Sequence, residues 1–295
     1  MSKKSQYHHL SEIPSVKLES KWFWFEKLLF GNRLAQRLAT KIEKHRQSQV
    51  KNQRTLISIA RLRDSAEGSG AYAEEYGYVD ALDEIKTALL YKHEVVDGFP
   101  KPSESKKLYD RAEDLLTRHM DSISAVVNFG VCYAHIDQLL ARKFPSTMFY
   151  GVDRSRITKA FNEVEFGGIP NLLFVASNIF EFLESAKLSN WMLFHTRTCC
   201  LLPKDFVVRL YNAAYKLGCS TIVCLEQSGI SRQTGCAYQY SDNDQASVAY
   251  RQGMLIHNYP GILRAAGFEV VESTLIKTAH NHEDYRIVEF VANRT

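Results

Sequence analysis

The stretch that decides the fold is "AVVNFGVCYAHIDQLL", residues 125–140. It begins as a buried strand, passes one glycine at Gly130, and continues in a helical pattern. A strand that leads through a short turn into a helix is the opening of a βαβ unit. Nucleotide-binding turns of this type usually contain two or three glycines. The presence of Cys132 and Ala134 in such a turn therefore requires an explanation.

From Ser122 to the end of the chain, short apolar runs alternate with amphipathic helical patterns. Strands are predicted at 124–129, 147–153, 171–177, 190–196 and 219–226. The tail reads as a helix in "YPGILRAAG" followed by two strands, "FEVVESTLIK" and "DYRIVEFVANR". This order predicts an α/β fold with a doubly wound, mostly parallel seven-stranded sheet and a C-terminal antiparallel hairpin.

The N-terminal region, 1–104, has helical patterns and a distinct charge. Residues 1–63 contain fourteen Lys or Arg and four Glu, a net charge of +10, so the remainder of the +4 chain carries −6. We expect a helical region over 1–104 and a Rossmann-like domain over 105–295. The basic, aromatic "KWFWFEKLLFGNRLAQRLATKIEKHR" could be a lid, a homodimer contact, or a surface for RNA or anionic membrane. Packing on protein is favoured, because apolar stripes most often pack in this way.

The composition and the sequence pattern indicate the cellular compartment of the protein and whether it binds a metal ion. No apolar run is long enough to cross a bilayer, and the polar N-terminus lacks the features of a secretory signal. The six cysteines, between Cys132 and Cys236, lack the paired spacing of a zinc site, and His280 with His282 supply too few ligands. We therefore expect a cytoplasmic protein without a bound metal.

The carboxyl ends of the parallel strands are where a doubly wound sheet binds its ligand. Gly130 would let the backbone approach that ligand, and the following helix would offer its N-terminal amides. Asp153 ends the second predicted strand, 25 residues after Asn128, which is about the length of one βαβ step. Its carboxylate is placed to bind the two hydroxyls of a ribose.

Several segments, in order, carry a resemblance to a known superfamily. They are "AVVNFGVCYAHIDQLL", "MFYGVDRS", "LLFVASNIFEFL" and "HNYPGILRAAGFEVVES", followed by the last strand "YRIVEFVANR". Together they resemble the class I, Rossmann-like methyltransferases that depend on S-adenosylmethionine, over about residues 105–295. The resemblance implies S-adenosylmethionine as the cofactor. The cofactor-binding residues that it implies are Asn128, Phe129, Gly130, Cys132, Ala134, Asp153, Arg154, Ser177, Asn178 and Ile179.

In that superfamily the first strand ends in an acid followed by Gly-x-Gly-x-Gly. Here Asn128 stands for the acid, and Cys132 and Ala134 stand for the second and third glycines. Both are small, so they substitute sterically for glycine if neither position needs a positive φ. Asn128 can still accept a hydrogen bond from the methionine amino group, but without the charge assistance of a carboxylate.

The other matched positions divide by the part of the cofactor that they would contact. Asp153 would bind the ribose, and Asn178 would read the adenine edge. Ser177 or Ile179 would flank the adenine ring.

Methyl transfer depends mainly on proximity and orientation, with a base where the acceptor is a hydroxyl. His195 ends the fourth predicted strand and is the leading catalytic candidate, with His257 the second. Each could instead be a buried histidine that bonds only to nearby backbone. Candidate contacts to the methyl acceptor are Arg197, Tyr238, Tyr240 and Tyr259.

The function predicted is methyl transfer from S-adenosylmethionine to an oxygen or nitrogen of a small molecule. A nicotinamide dehydrogenase is disfavoured, because its Gly-x-Gly-x-x-Gly turn would need glycines that this turn lacks. The alternative is a non-catalytic or degenerate Rossmann-like binding module. Its basic N-terminal arm would recruit RNA, a membrane or a protein partner.

Overall fold

The computed structural model describes residues 104–229, 237–250, 254–277 and 286–295. The predicted N-terminal helical region, 1–104, therefore lies outside the described residues except for its last residue, Glu104. His280 and His282 also lie outside them.

Helices and strands alternate along the described chain as the sequence predicts. Helix α1 (Glu104–Arg118) comes first and is followed by β1 (Ala125–Phe129), α2 (His135–Lys143), β2 (Met148–Asp153), α3 (Arg156–Phe166), β3 (Leu172–Ala176), α4 (Ile179–Ser185) and β4 (Trp191–Thr196). A 3₁₀ helix (Cys199–Leu201) then leads to α5 (Lys204–Lys216), β5 (Cys219–Ser228), β6 (Ser247–Ala249), β7 (Leu255–His257), α6 (Tyr259–Ala265), β8 (Phe268–Lys277) and β9 (Arg286–Arg294).

Seven of the strands form one sheet in the order β3-β2-β1-β4-β5-β9-β8. Strands β1 to β5 run parallel to one another, and β9 pairs antiparallel with both β5 and β8. The predicted doubly wound sheet with its C-terminal antiparallel pair is confirmed. The small antiparallel sheet of β6 and β7 was not predicted.

The apolar character of the central strands follows from burial on both faces. All five residues of β1 are buried, as are the first five of β4. Residues of α4, α5 and α6 pack on one face of the sheet, and residues of α1, α2 and α3 pack on the other. Parallel sheets are normally covered in this way, which is why their strands lack a polar face.

Helix α1 is tied to the sheet by an ion pair as well as by apolar contacts. Arg111 donates two hydrogen bonds to the carboxylate of Glu289 on β9, at 2.7 and 3.0 Å. Glu289 is buried, so the bidentate guanidinium supplies the partners that its charge needs. None of the described helices has the length and apolarity needed to span a lipid bilayer.

Candidate functional site

The turn between β1 and α2 has an unusual backbone. Gly130, Cys132 and Ala134 adopt φ angles of 72°, 51° and 47°. Glycine is the residue that accepts such angles without strain, and these are the three positions matched to glycines in the sequence. The condition for a purely steric replacement of glycine, that neither Cys132 nor Ala134 needs a positive φ, is therefore not met. The two residues keep the backbone conformation of glycine while carrying a Cβ.

Hydrogen bonds from neighbouring elements hold this turn in place. Gly130 N donates to Val152 O at 2.8 Å, and Cys132 N donates to Asp153 Oδ2 at 3.4 Å. The carbonyl of Cys132 accepts from Asn162 Nδ2 on α3 at 2.7 Å. A left-handed conformation costs a residue with a Cβ about 1–2 kcal/mol. The hydrogen bonds to the backbone N–H and to the carbonyl of Cys132 offset that cost.

Asp153 is the last residue of β2, and its carboxylate contacts the turn through Cys132 N. Its Oδ1 accepts a hydrogen bond from Ser155 N at 2.9 Å, and burial raises the pKa of its carboxyl group. Ser155 in turn caps α3 by accepting from Thr158 N. Because a carboxylate has about four acceptor positions, Asp153 can take further hydrogen bonds from a ligand. The next residue, Arg154, is exposed.

Asn128 is buried near the end of β1 and is paired with Asp137, a residue that the sequence pattern did not single out. Its Nδ2 donates to Asp137 Oδ2 on α2 at 2.8 Å. Among the described residues, Asn128 Oδ1 is buried and has no hydrogen-bond partner. Burial raises the pKa of Asp137 to about 6, against the opposing effect of the hydrogen bond from Asn128. The available signal was an acid between the buried residues of an amphipathic helix.

The adenine side of the predicted site lies at the end of β3. Ser177 is buried and donates to Asn178 O at 3.1 Å. Asn178 is exposed, and its Oδ1 caps α4 by accepting from Phe180 N at 2.9 Å. Ile179 packs in the hydrophobic core. Phe129, at the end of β1, is buried as well.

His195, the residue before the last of β4, lies in a closed hydrogen-bond network. The side chain is 0% exposed, with Nδ1 at 2.6 Å from Glu226 Oε1 and Nε2 at 2.9 Å from Tyr211 OH. Burial alone would raise the pKa of Glu226, but the hydrogen bond and charge interaction with His195 help to lower it. Both imidazole nitrogens are thus engaged inside the protein.

Glu226 also fixes the loop after β4. Its carboxylate accepts hydrogen bonds from three successive backbone amides, those of Thr198, Cys199 and Cys200, at 3.0–3.1 Å. The side chain of Thr198 lies against Gly130 in the turn. The contact is so close that a Cβ added at Gly130 would overlap it. The network therefore connects β5 with the turn after β1.

Donor atoms of His195, Cys199 and Glu226 lie within 4.8 Å of one another, close enough to consider a metal ion. Zinc ligands at about 2.0–2.3 Å from the ion would stand more than 3 Å apart in a tetrahedral site. The 2.6 Å contact of His195 with Glu226 is instead a hydrogen-bond distance. Burial raises the pKa of the Cys199 thiol well above its usual range. These contacts describe a hydrogen-bond network.

His257, the second catalytic candidate, is also completely buried. Its Nδ1 lies 2.6 Å from Ser247 Oγ, and its Nε2 lies near two carbonyls, Cys199 O at 3.0 Å and Leu202 O at 3.1 Å. Burial lowers the pKa of His257 to about 4, so the ring is neutral at physiological pH. These bonds connect β6 and β7 with the 3₁₀ helix after β4.

The predicted acceptor tyrosines are brought together around Phe290. Tyr238 packs edge-on against Tyr240 with ring centroids 5.0 Å apart, and Tyr240 packs edge-on against Phe290 at 5.3 Å. Tyr259 lies 6.0 Å from Phe290 and is buried. Within the described residues, the hydroxyls of Tyr259 and of Thr196, at the end of β4, are buried without a hydrogen-bond partner.

Arg197 follows β4 as an exposed residue with a φ of 53°. Its backbone N donates to Leu225 O at 2.9 Å. Thus Cys132, Ala134 and Arg197 adopt left-handed backbone at the same carboxyl edge of the sheet. Strained backbone of this kind is concentrated at ligand sites in proteins.

No family model matches the sequence, and no curated protein matches it. Among solved structures, magnesium protoporphyrin IX methyltransferase from Synechocystis PCC 6803 with bound SAH is 12% identical, over 75% of this chain and 97% of that one, with a TM-score of 0.49. The 1,6-didemethyltoxoflavin-N1-methyltransferase of Burkholderia thailandensis is 15% identical, over 75% and 90%, with a TM-score of 0.49. The [4+2]-cyclase SpnF is 14% identical, over 63% and 81%, with a TM-score of 0.47.

The sheet order itself defines the architecture. Five parallel strands in the order 3-2-1-4-5, continued by an antiparallel terminal pair, form the Rossmann-like α/β fold that the sequence resemblance implied. The turn after β1 and Asp153 lie where this fold binds ligands, at the carboxyl ends of the strands.

We expect Cys132→Gly to stabilise the protein by about 1 kcal/mol, since glycine removes the cost of a Cβ in left-handed backbone. Cys132 is exposed, so little packing is lost. Urea unfolding measures the change. Cys132→Ala is the matched control, because alanine retains the Cβ and should give no gain. Equal effects of the two substitutions would contradict the proposed strain.

Asp137→Asn should stabilise the protein at neutral pH. The pKa of Asp137 is about 6 in the folded state against an ordinary 3.8, so folding favours the protonated form. That stabilising contribution is lost as pH rises through 6, and the ionised group then costs about 3 kcal/mol. Asparagine stays neutral and can still accept from Asn128. The gain in urea midpoint should be large at pH 7.5 and small near pH 4.

The exposed Asp114 provides a control for this experiment. Asp114→Asn should change stability by less than about 1 kcal/mol at either pH, because surface charges contribute little. A gain from Asp137→Asn that does not depend on pH would show that the carboxylate is not penalised by burial.

Proposed function

We propose that this protein transfers a methyl group from S-adenosylmethionine to an oxygen or nitrogen of a small-molecule acceptor. The observation that carries the proposal is the turn after β1, which keeps positive φ at Gly130, Cys132 and Ala134 directly beside Asp153. Two of these residues are strained by that conformation. Strain that is held by surrounding hydrogen bonds supports a ligand-binding role.

The residues present fit the cofactor. Asp153 has acceptor positions for ribose hydroxyls, and it is linked to the turn through Cys132 N. Asn128 offers a buried amide oxygen without a partner in the described chain, which suits the amino group of the methionine moiety. Ser177 and Asn178 would lie on the adenine side, and the remaining proposed contacts are Phe129, Arg154 and Ile179.

Bound S-adenosylmethionine supplies an electrophilic methyl group on a sulfonium. The protein then has to orient the acceptor and exclude water, which is how proximity lowers the barrier. We assign acceptor contacts to Arg197 and to the aromatic group of Tyr238, Tyr240 and Tyr259. The hydroxyl of Thr196, buried at the end of β4, is a further candidate.

The geometry favours positioning roles for His195 and His257. A general base must come within about 2.6–3.2 Å of the proton that it removes, directly or through one water. Both rings are fully buried and both nitrogens of each contact protein groups. His195 supports Glu226, which holds Thr198 against Gly130. Their catalytic roles stay a prediction from sequence.

The N-terminal region is proposed as a lid or homodimer contact that completes the acceptor pocket. A surface for nucleic acid or membrane is the less favoured proposal for it. The cytoplasmic location also stays a prediction.

Calorimetric titration with S-adenosylhomocysteine, S-adenosylmethionine and NAD tests the cofactor. We expect saturable binding of both sulfur ligands and none of NAD. Asp153→Ala should weaken binding by more than about tenfold, since each 1.4 kcal/mol of lost hydrogen bonding is a factor of ten. Asp205→Ala, an exposed aspartate on α5, should bind like the wild type.

Circular dichroism shows whether Asp153→Ala still folds. A wild-type protein that binds none of these ligands would refute the methyltransferase proposal. It would also favour the non-catalytic binding module.

A further inference from the structure

The buried pair of Asn128 and Asp137 has a defined polarity. An ionised carboxylate only accepts hydrogen bonds, so the amide nitrogen of Asn128 must face Asp137 at 2.8 Å. The amide oxygen must then face the other way. That oxygen is buried, and no described residue donates to it. Leaving a buried acceptor unsatisfied costs about 1–3 kcal/mol, so this oxygen would gain from a further donor.

The negative charge of Asp137 favours one kind of donor for the amide oxygen of Asn128. An amide oxygen backed by a carboxylate on its nitrogen side carries more negative potential than an amide alone, because linked hydrogen bonds polarise one another. Such an acceptor favours a cationic donor. Among the groups of S-adenosylmethionine that donate hydrogen bonds, the α-ammonium is the cationic one.

We propose that Asn128 and Asp137 together recognise the α-ammonium of the cofactor, with Asp137 acting as a positioning residue that fixes the amide oxygen of Asn128 toward the ligand. This inference rests on the proposed function. Asp137 supplies, from α2, the negative charge that Asn128 lacks at the end of β1. Asn128 makes the contact, and Asp137 selects which end of its amide faces the site.

The energetics of Asp137 agree with a functional role. A carboxylate buried on α2 is unfavourable, and burial raises its pKa. Asparagine would fill nearly the same space without that penalty. Ionisable groups held in unfavourable environments are concentrated at functional sites.

The test compares two probes that differ in the amino-acid moiety. S-adenosylhomocysteine carries the α-ammonium, whereas 5′-methylthioadenosine lacks it. We expect Asp137→Asn to weaken S-adenosylhomocysteine binding by about tenfold, the loss of roughly one charge-assisted hydrogen bond. Binding of 5′-methylthioadenosine should stay unchanged. A role of Asp137 only in folding would weaken both probes together.

The exchanged pair provides a rescue. In Asn128→Asp combined with Asp137→Asn, the new asparagine can donate to the new aspartate, which leaves one carboxylate oxygen for the ligand. We expect this double variant to bind S-adenosylhomocysteine at least as well as the wild type. The single Asn128→Asp variant should not, because it places two carboxylates in contact.

The possible outcomes separate this inference from the proposed function. Selective loss in Asp137→Asn, with recovery in the double variant, supports the pair. Wild-type binding of both probes with equal or no loss in Asp137→Asn overturns the inference and leaves the cofactor assignment standing. Failure of the wild type to bind either probe overturns both.

Discussion

The chain must leave β1 and enter α2 through a turn whose backbone is left-handed at every second residue. Glycine would make that path easy, but Cys132 and Ala134 follow it at a cost in conformational energy. This conformation is held because Asp153 accepts a hydrogen bond from the N–H of Cys132 and Asn162 donates one to its carbonyl. The ribose-binding candidate therefore also shapes the turn. Substitution of Asp153 is expected to affect both the ligand and the backbone that approaches it.

A second buried carboxylate organises the other half of the site. Glu226 binds three successive amides of the loop after β4 and receives the imidazole of His195. The loop then meets the turn through Thr198 and Gly130. Polar groups this deeply buried are tolerated because each has its partners. Thus β1, β2, β4 and β5 each contribute one hydrogen-bonded polar side chain to this end of the sheet: Asn128, Asp153, His195 and Glu226.

Alternating apolar and helical patterns were enough to predict the sheet, its parallel strands and the position of Asp153. The residues that support the turn could not be predicted, because their contacts depend on how helices dock. Asn162 reaches Cys132 across 30 positions, and Asp137 meets Asn128 only when α2 packs on β1. Likewise, the position of His195 at a strand end suggested an accessible base, whereas its environment is set by Glu226, 31 residues away. The sequence also left open whether Cys132 and Ala134 need a positive φ, because that depends on the contacts that hold the turn.

Alkylation of Cys132 measures ligand binding at the turn itself. Its thiol is exposed, whereas the other described cysteines, Cys199, Cys200, Cys219 and Cys224, are buried. Mass spectrometry can follow the labelling rate of the peptide that carries Cys132, with saturating S-adenosylhomocysteine, with NAD, or with no ligand. If the turn from Gly130 to Ala134 holds the cofactor, S-adenosylhomocysteine should slow labelling strongly and NAD should not. An unchanged labelling rate with S-adenosylhomocysteine would contradict the cofactor site proposed for this edge of the sheet.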